Sequence, residues 1–457
     1  MIMSKSEIFI TNAINISAQS FYPRNYDPKY LFVRDGMLNC PVLSEYVIGD
    51  IKGGSTPPAY FFYKSNGIPF IKTAAVSRHF INTNDLQRIN ENFHNTTIKR
   101  SITHPYDIIY TTTGKFMGKA AMCPPTISEM NMSQNSVVIH TATPKEAAFL
   151  TIYLNSKINR IQVRGSYSIT KQKYLNQGKI AQLKVMKYEK KYDLLMERYI
   201  KAFDNYYTSI QEIKKIIEAF DTKNNLPFSD EAQFGFSVSP STLDKCMLCP
   251  NYYRPDVDKT ISSVIGDRTV TGFNVEAIKK GDEIGSENYL EDGVPFIKTS
   301  DIMNFDVDYE PDCYSAESTI YQLEQEIRCG DIIFTKDGKP GEVAIIQEDD
   351  KIIISSGLVK YRPENETERY WLFLLLTSKY GKSYFKKWFV LASTMLHLRA
   401  DFFNDFKIPE ISDYIRDSFI LPLKKAFETK KNCYDEIIKI KTTVEDSFTN
   451  PDTDLNI

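Results

Sequence analysis

Five histidines, seven cysteines and many carboxylates give this 457-residue chain the raw material for several chemistries, yet spacing assembles none of them. The histidines stand at 79, 94, 104, 140 and 397, with no HExxH and no tight His/Asp pair in the sequence. No GxSxG nucleophile elbow and no GxxxxGK[ST] phosphate loop occurs. "TTGKFMGK" (112–119) has the composition of a phosphate cradle without its spacing, and reads as a turn. "CMLC" (246–249) has no second ligand pair nearby, so neither a metal nor a cofactor is assigned. The two Pro-Pro pairs, in "TPPA" and "CPPT", do not fit the [DNS]PP[FYW] loop of adenine methyltransferases.

Recognition chemistry remains. Residues 64–119 carry eight Lys or Arg against three acidic residues, interleaved with Asn, Thr and Gln. That mixture suits phosphate neutralisation together with hydrogen bonding to base edges, and it equally describes a solvated surface. Residues 281–350 are acidic, with Lys298, Arg328, Lys336 and Lys339 as their only cations. Further cations follow at Lys379, Lys382, Lys386, Lys387, Arg399 and Lys407. If this part of the chain meets DNA, its acidic side faces away or meets a basic partner.

The elements that must position these groups are written twice. "NGIPFIKT" (66–73) returns as "DGVPFIKT" (292–299). "VIGDIKGGSTPP" (47–58) and "VIGDRTVTG" (264–272) precede the two copies. "YDIIYTTTGKFMGKAAM" (106–122) answers "GDIIFTKDGKPGEVAII" (330–346), "SQNSVVI" (133–139) answers "SSGLVKY" (355–361), and "YLNSKI" (153–158) answers "LLTSKY" (375–380). The order is kept and the separations stay between 217 and 226 residues, so the chain contains an internal duplication. "PFIKT" and "DIIYTTTG"/"DIIFTKDG" read as short strands ending in turns. Residues 145–160 and 367–389 read as helices.

A long helix follows each copy. Tyr188, Tyr192, Leu195, Tyr199, Ala202, Tyr206, Ile210, Ile213, Ile217 and Phe220 are spaced three or four apart, a heptad seam with one stutter at 206–210. A looser stripe runs through Ile415, Leu423, Phe427, Tyr434, Ile437 and Val444, with Pro422 expected to kink that helix or mark its start. The two helices either pair antiparallel or pack each on its own domain. Residues 223–262 show no sustained period and read as a linker. "FYPRNYDPKY" (21–30) is echoed by "NYYRPDVDK" (251–259), suggesting a lead-in segment docked on each copy.

Whole-chain properties bound the class. The composition, 42% hydrophobic and 25% charged, supports sizeable cores, and a net charge of −2 favours no partner. An odd number of scattered cysteines is no disulfide framework, which points to a reducing cytoplasm. The N-terminal stretch does not read as a signal peptide, and no run of about 18 apolar residues suggests a membrane span.

This layout resembles the DNA-specificity subunit of Type I restriction–modification systems, over roughly 40–445. The resemblance rests on Ile48-Gly49-Asp50 with the Gly53-Gly54-Ser55-Thr56-Pro57 turn, and on Ile265-Gly266-Asp267, where "TVTGFN" stands in place of that turn. It rests also on the "PFIKT" elements at 68–73 and 294–299, the latter followed by Asp301, and on the "GDII" elements at 106–118 and 330–341. It implies an α+β architecture: two duplicated mixed α/β target-recognition domains separated by long helices that form an antiparallel coiled coil. The corresponding divisions are a lead-in (1–37), a first recognition domain (38–186), a spacer helix (187–222), a linker (223–262), a second recognition domain (263–410), a second spacer helix (411–448) and a tail (449–457).

The resemblance implies that each domain reads one half of an asymmetric, bipartite sequence in double-stranded DNA. Two modification (methyltransferase) subunits, and restriction subunits in the full complex, dock on such a chain and supply methylation and cleavage. A helix of some 33 residues spans roughly 50 Å, on the order of 15 base pairs. Candidate DNA contacts flank the anchors: Lys72, Thr73 and Arg78; Lys115 and Lys119; Asn135; Lys298, Thr299 and Ser300; Lys336 and Lys339; Ser355 and Ser356; and Arg399. Tyr192, Leu195, Tyr199, Tyr206, Ile210, Ile213, Ile217, Phe427, Tyr434 and Ile437 are the candidate spacer-helix contacts. "PFIKT" itself reads as frame, since one phrase shared by two domains cannot carry the difference between their targets. The rival reading is a protein-interaction scaffold, favoured by the acidic second copy.

Overall fold

The computed structural model describes residues 26–58, 62–63, 66–84, 86–114, 117–166, 168–169, 173–227, 235–244, 247–349, 351–392, 395–450 and 452–455. Lys115 and Cys246 fall outside them. The chain divides into two compact units, Met1–Thr208 with Asn432–Ile457, and Ser209–Lys431. Among the described residues no helix is long and apolar enough to cross a membrane.

The first unit is built on a four-stranded antiparallel sheet in the order Lys52–Gly53, Ser136–Ile139, Ile108–Thr111, Ala120–Met122. Ile108, Ile109 and Tyr110 are all buried, so both faces of this strand are covered and its apolar run is continuous rather than alternating. The repeated phrase supplies Ile68–Ile71, which pairs antiparallel with Gln87–Ile89 and parallel with Asn131–Met132. Phe70 and Ile71 are buried there, each contributing roughly 1.5–3 kcal/mol by leaving water.

The second unit rebuilds this arrangement. Its antiparallel sheet runs Ile278–Lys280, Leu358–Tyr361, Ile332–Thr335, Val343–Ile345. Val294–Ile297 pairs antiparallel with Tyr314–Ser315 and parallel with Ile353–Ile354. The registers correspond: Tyr110 faces Val137 as Phe334 faces Val359, and Phe70 faces Asn131 as Phe296 faces Ile353. Gly67 and Gly293 enter the repeated strand at φ 113° and 134°, where a Cβ would sit 2.4 Å from the Ile89 carbonyl oxygen and 2.5 Å from that of Ser315. A left-handed backbone against a carbonyl requires glycine at both places.

The structure corrects the alignment of the glycine turn. Gly54 N–H donates to Ser136 O (3.1 Å) and Ser55 N–H to Met132 O (3.2 Å). The same bonds in the second unit run from Gly281 N–H to Leu358 O (3.1 Å) and from Asp282 N–H to Ile354 O (3.1 Å). The counterpart of the turn is therefore "KKGDE", not "TVTGFN". The "VIGD" echo is not equivalent either. Gly266 ends the helix Pro255–Ile265, whereas Gly49 leads into the strand Lys52–Gly53.

Each unit adds a pair of helices, Pro144–Asn155 with Lys157–Ser166 and Glu366–Thr377 with Lys379–Trp388. Sequence periodicity suggests one helix in each place. The extended backbone of Ser156 (ψ 158°) and Ser378 (ψ 170°) breaks each into two. Thr143 and Asn365 cap the starts by accepting from Glu146 N–H and Glu368 N–H. Two short helices, each with proline in its first turn, pack on the second members: Pro28–Gly36 on Lys157–Ser166, and Pro255–Ile265 on Lys379–Trp388. The latter lies where the sequence reads as linker. Its buried Val257, Ile261 and Val264 form a helical stripe too short to stand out among prolines and polar residues.

The long helices are Asp193–Lys223 and Asp413–Ser447. The second continues through Pro422 and starts ahead of it. In the first unit Tyr192 Oη lies 3.1 Å from Ser447 Oγ, and Arg198 Nε donates to Glu436 at 2.8 Å. One residue number rises as its partner's falls, so these segments run antiparallel. In the second unit Phe220 meets Phe419 edge to face at 5.5 Å. Tyr192, Leu195, Tyr199, Tyr206, Ile210, Ile213, Ile217, Phe427 and Ile437 are buried and Tyr434 is half-buried, while Ile415 is exposed and outside the stripe. Both sequence alternatives hold at once, because the flanks of the helices also pack on their domains. Phe80 meets Tyr206 at a tilt (4.6 Å) and stacks on Tyr434 (5.8 Å), and Phe427 meets Phe373 at 5.0 Å.

Candidate nucleic-acid interface

Four loops converge at one end of each sheet system. The first is the turn after the repeated strand, where Thr73–Ala75 and Thr299–Asp301 form matching 3-10 turns, closed by Ala75 N–H to Lys72 O and Asp301 N–H to Lys298 O, both 2.9 Å. The second is the turn of "SQN" or "SSG". Ser133 N–H donates to Ile71 O (2.9 Å), as Ser355 N–H does to Ile297 O (2.8 Å). The third is the glycine loop after the buried central strand. Thr112 N–H donates to Asn135 O (2.9 Å), and Lys336 N–H to Gly357 O (2.9 Å). The fourth is a strand pair after the helix pair, Ser168–Ile169 with Lys173–Tyr174 or Phe389–Ala392 with Met395–Leu398, which sequence reading did not find.

The frame of the glycine loop is the same in both copies. Lys119 N–H donates to Thr111 Oγ1 (2.9 Å) and Glu342 N–H to Thr335 Oγ1 (3.0 Å). Lys119 is buried, so its main chain builds the loop and its ammonium is not displayed at the surface. Ser355 is also buried. Lys72 is exposed, and Thr73, Arg78 and Asn135 are half-buried.

In the second copy the candidate groups are held by their own unit. Lys298 Nζ lies 2.8 Å from Cys313 Sγ and 3.9 Å above the Tyr289 ring. Ser300 Oγ donates to Asp301 at 3.2 Å, and Ser356 Oγ reaches Glu283 at 3.5 Å. Lys336 pairs with Asp337, Lys339 with Glu342 at 3.3 Å, and Arg399 with Asp401 at 2.8 Å. Half-exposed Thr299 borders Gly357 and Asp337, since a Cβ on Gly357 would meet Thr299 Cγ2 at 2.7 Å and Asp337 Cβ at 3.7 Å. Pairs of this exposure contribute about 0–1 kcal/mol, so a phosphate could take over Lys339 or Arg399 at little cost.

Space supplies the His/Asp pairs that linear spacing hid. His397 Nδ1 lies 2.7 Å from Asp337 Oδ1, beside the glycine loop. Burial pushes the Asp337 carboxyl up, but hydrogen bonds from Lys336 and His397 outweigh it and hold the group below the usual carboxylate range. His140 Nδ1 lies 2.8 Å from Asp107 Oδ1. The Asp107 bond raises the imidazole above its ordinary value, against burial, which lowers it. Asp107 also accepts from His104 N–H (2.7 Å). Asp331 takes the same place in the second copy, accepting from Arg328 N–H (2.9 Å) and Arg362 Nε (2.8 Å).

Residues 273–410 match the family described as Type I restriction modification DNA specificity domain. Among solved structures, the Type I restriction–modification S subunit from M. genitalium is 13% identical, with 89% of this chain and 93% of that chain covered and a TM-score of 0.34. The HsdS subunit from Thermoanaerobacter tengcongensis is likewise 13% identical, covering 89% and 95%, with a TM-score of 0.27. No curated protein sequence matches the chain. The family match falls on the second copy, and the paired registers extend its topology to the first. The similarity at the level of sequence is thus to the Type I restriction modification DNA specificity domain, over residues 273–410.

Proposed function

We propose that the chain reads an asymmetric, bipartite sequence in double-stranded DNA, one half with each copy, as the specificity subunit of a Type I restriction–modification complex in the cytoplasm. Two modification subunits, and restriction subunits where present, carry out adenine methylation and cleavage, and this chain contributes recognition. The observation that carries the reading is the pairing of equal frames with unequal loops. Equivalent backbone bonds join Thr112 to Asn135 in one copy and Lys336 to Gly357 in the other. Phosphate contacts position such a domain and base contacts specify it, so unlike loops on one frame give unlike half-sites.

Selection from a random duplex pool, with and without an adenine methyltransferase partner, tests this. Enrichment of a split motif with two different halves supports it; enrichment of none sinks it. A protein-interaction scaffold is the second reading, favoured by the self-paired cations of the second copy, and capture of partner subunits without any motif would be its signature.

A further inference from the structure

We infer that base reading in each copy falls to one composite element, the glycine loop joined to the strand pair after the helix pair, and that His397, oriented by Asp337, is a specificity-determining residue of the second copy. This rests on the proposed function and deepens it. The two pieces are joined alike in both copies. Leu175 N–H donates to Thr112 O (3.0 Å) and Leu398 N–H to Lys336 O (2.8 Å). Thr113 bridges Tyr174, and Asp337 pairs with His397, in the same antiparallel sense. In the second copy Asp337–Gly338 thereby becomes the third strand beside Met395–Leu398 and Phe389–Ala392.

Matched backbone with unmatched side chains is what a reading element on a duplicated frame requires. Threonine and tyrosine stand in one copy where aspartate and histidine stand in the other. A carboxylate only accepts, so His397 Nδ1 donates to it; in the neutral tautomer that this bond selects, Nε2 is an acceptor. An acceptor on a strand suits the exocyclic amino group of adenine or cytosine, and a β-ribbon fits the major groove. Leu391 (69% exposed) and Met395 (47%) stand on the same strand pair, apolar groups suited to a thymine methyl. Tyr174, 43% exposed, takes the corresponding place in the first copy.

The test is selection from a random duplex pool with the full chain, comparing wild type, His397→Ala and the exposed-site double variant Leu391→Ser/Met395→Ser. His397→Ala is expected to relax one adenine or cytosine position in one half-motif by about ten-fold, leaving the other half and the spacing unchanged. The double variant is expected to relax neighbouring positions in that same half. Unchanged base preferences in both variants would overturn the inference while leaving the proposed function standing. A wild-type chain that enriches no motif would overturn the proposed function, and this inference with it.

Discussion

Two aspartates in equivalent places, Asp107 half-buried and Asp331 buried, show how the copies have diverged. Asp107 holds a main-chain N–H and the imidazole of His140; Asp331 holds a main-chain N–H and the guanidinium of Arg362, with Lys360 Nζ at 3.9 Å. The geometry is common and the cation is not. A titratable ring in one copy stands where a permanent charge stands in the other. What the duplication preserves is the backbone arrangement and the acceptor; it leaves free the group that satisfies that acceptor. The loops of the candidate interface extend this freedom to whole side-chain sets.

Substitutions at matched places sharpen the contrast, read by urea unfolding and by hydrogen exchange of the two central strands. Asp331→Ala leaves Lys360 and Arg362 without their buried carboxylate and should cost about 3–5 kcal/mol, with lost protection at 332–335. Asp107→Ala should cost less, about 1–3 kcal/mol, and act at 108–111. Equal costs would mean that the cation type does not matter.

Gly281→Ala tests the corrected alignment. A Cβ there would lie 2.3 Å from the Ser355 carbonyl oxygen, as one on Gly54 would from that of Met132. Each substitution should cost about 1–3 kcal/mol. Gly266→Ala tests the discarded correspondence through its positive φ alone, without a collision.

Tyr106 sits at φ 69° where the second copy has Gly330 at φ 90°. Its hydroxyl donates to Asp204 on the first long helix at 3.0 Å, and burial together with that carboxylate pushes the phenol up to about 12. Tyr106→Phe should cost about 0.5–1.5 kcal/mol by removing this tie, and an unchanged unfolding curve would show it to be idle.

The smallest effect is on pH. His140 has a raised folded-state pKa, so its contribution is complete below the ordinary histidine value and fades as pH rises through the folded value. A nuclear magnetic resonance titration should place His140 above a free histidine and return it downward in Asp107→Asn, whereas no such step involves Arg362.

Much of the frame was legible because it is written as contiguous phrases. "PFIKT" and "DII" are continuous apolar runs that become buried strands, and every heptad-seam position within the first long helix is buried, although Met196, Phe203 and Tyr207, also buried, lie outside the seam. The glycine turn was misaligned because four identical letters, "VIGD", outweighed the single glycine that matters, Gly281. The helix pairs were read as single helices because Ser156 and Ser378 break them without proline or glycine. The candidate interface was least legible. His397 and Asp337 are distant in sequence, and the strand pair that joins them to the glycine loop is a short apolar run following directly on a helix.

The central claim is that two copies of one frame read two different half-sites. Replacing residues 40–185 by the same region of a related chain, followed by selection of bound duplexes from a random pool, tests it most directly. One half of the recognised sequence should change while the other half is retained. A change in both halves together, or in neither, would contradict the account.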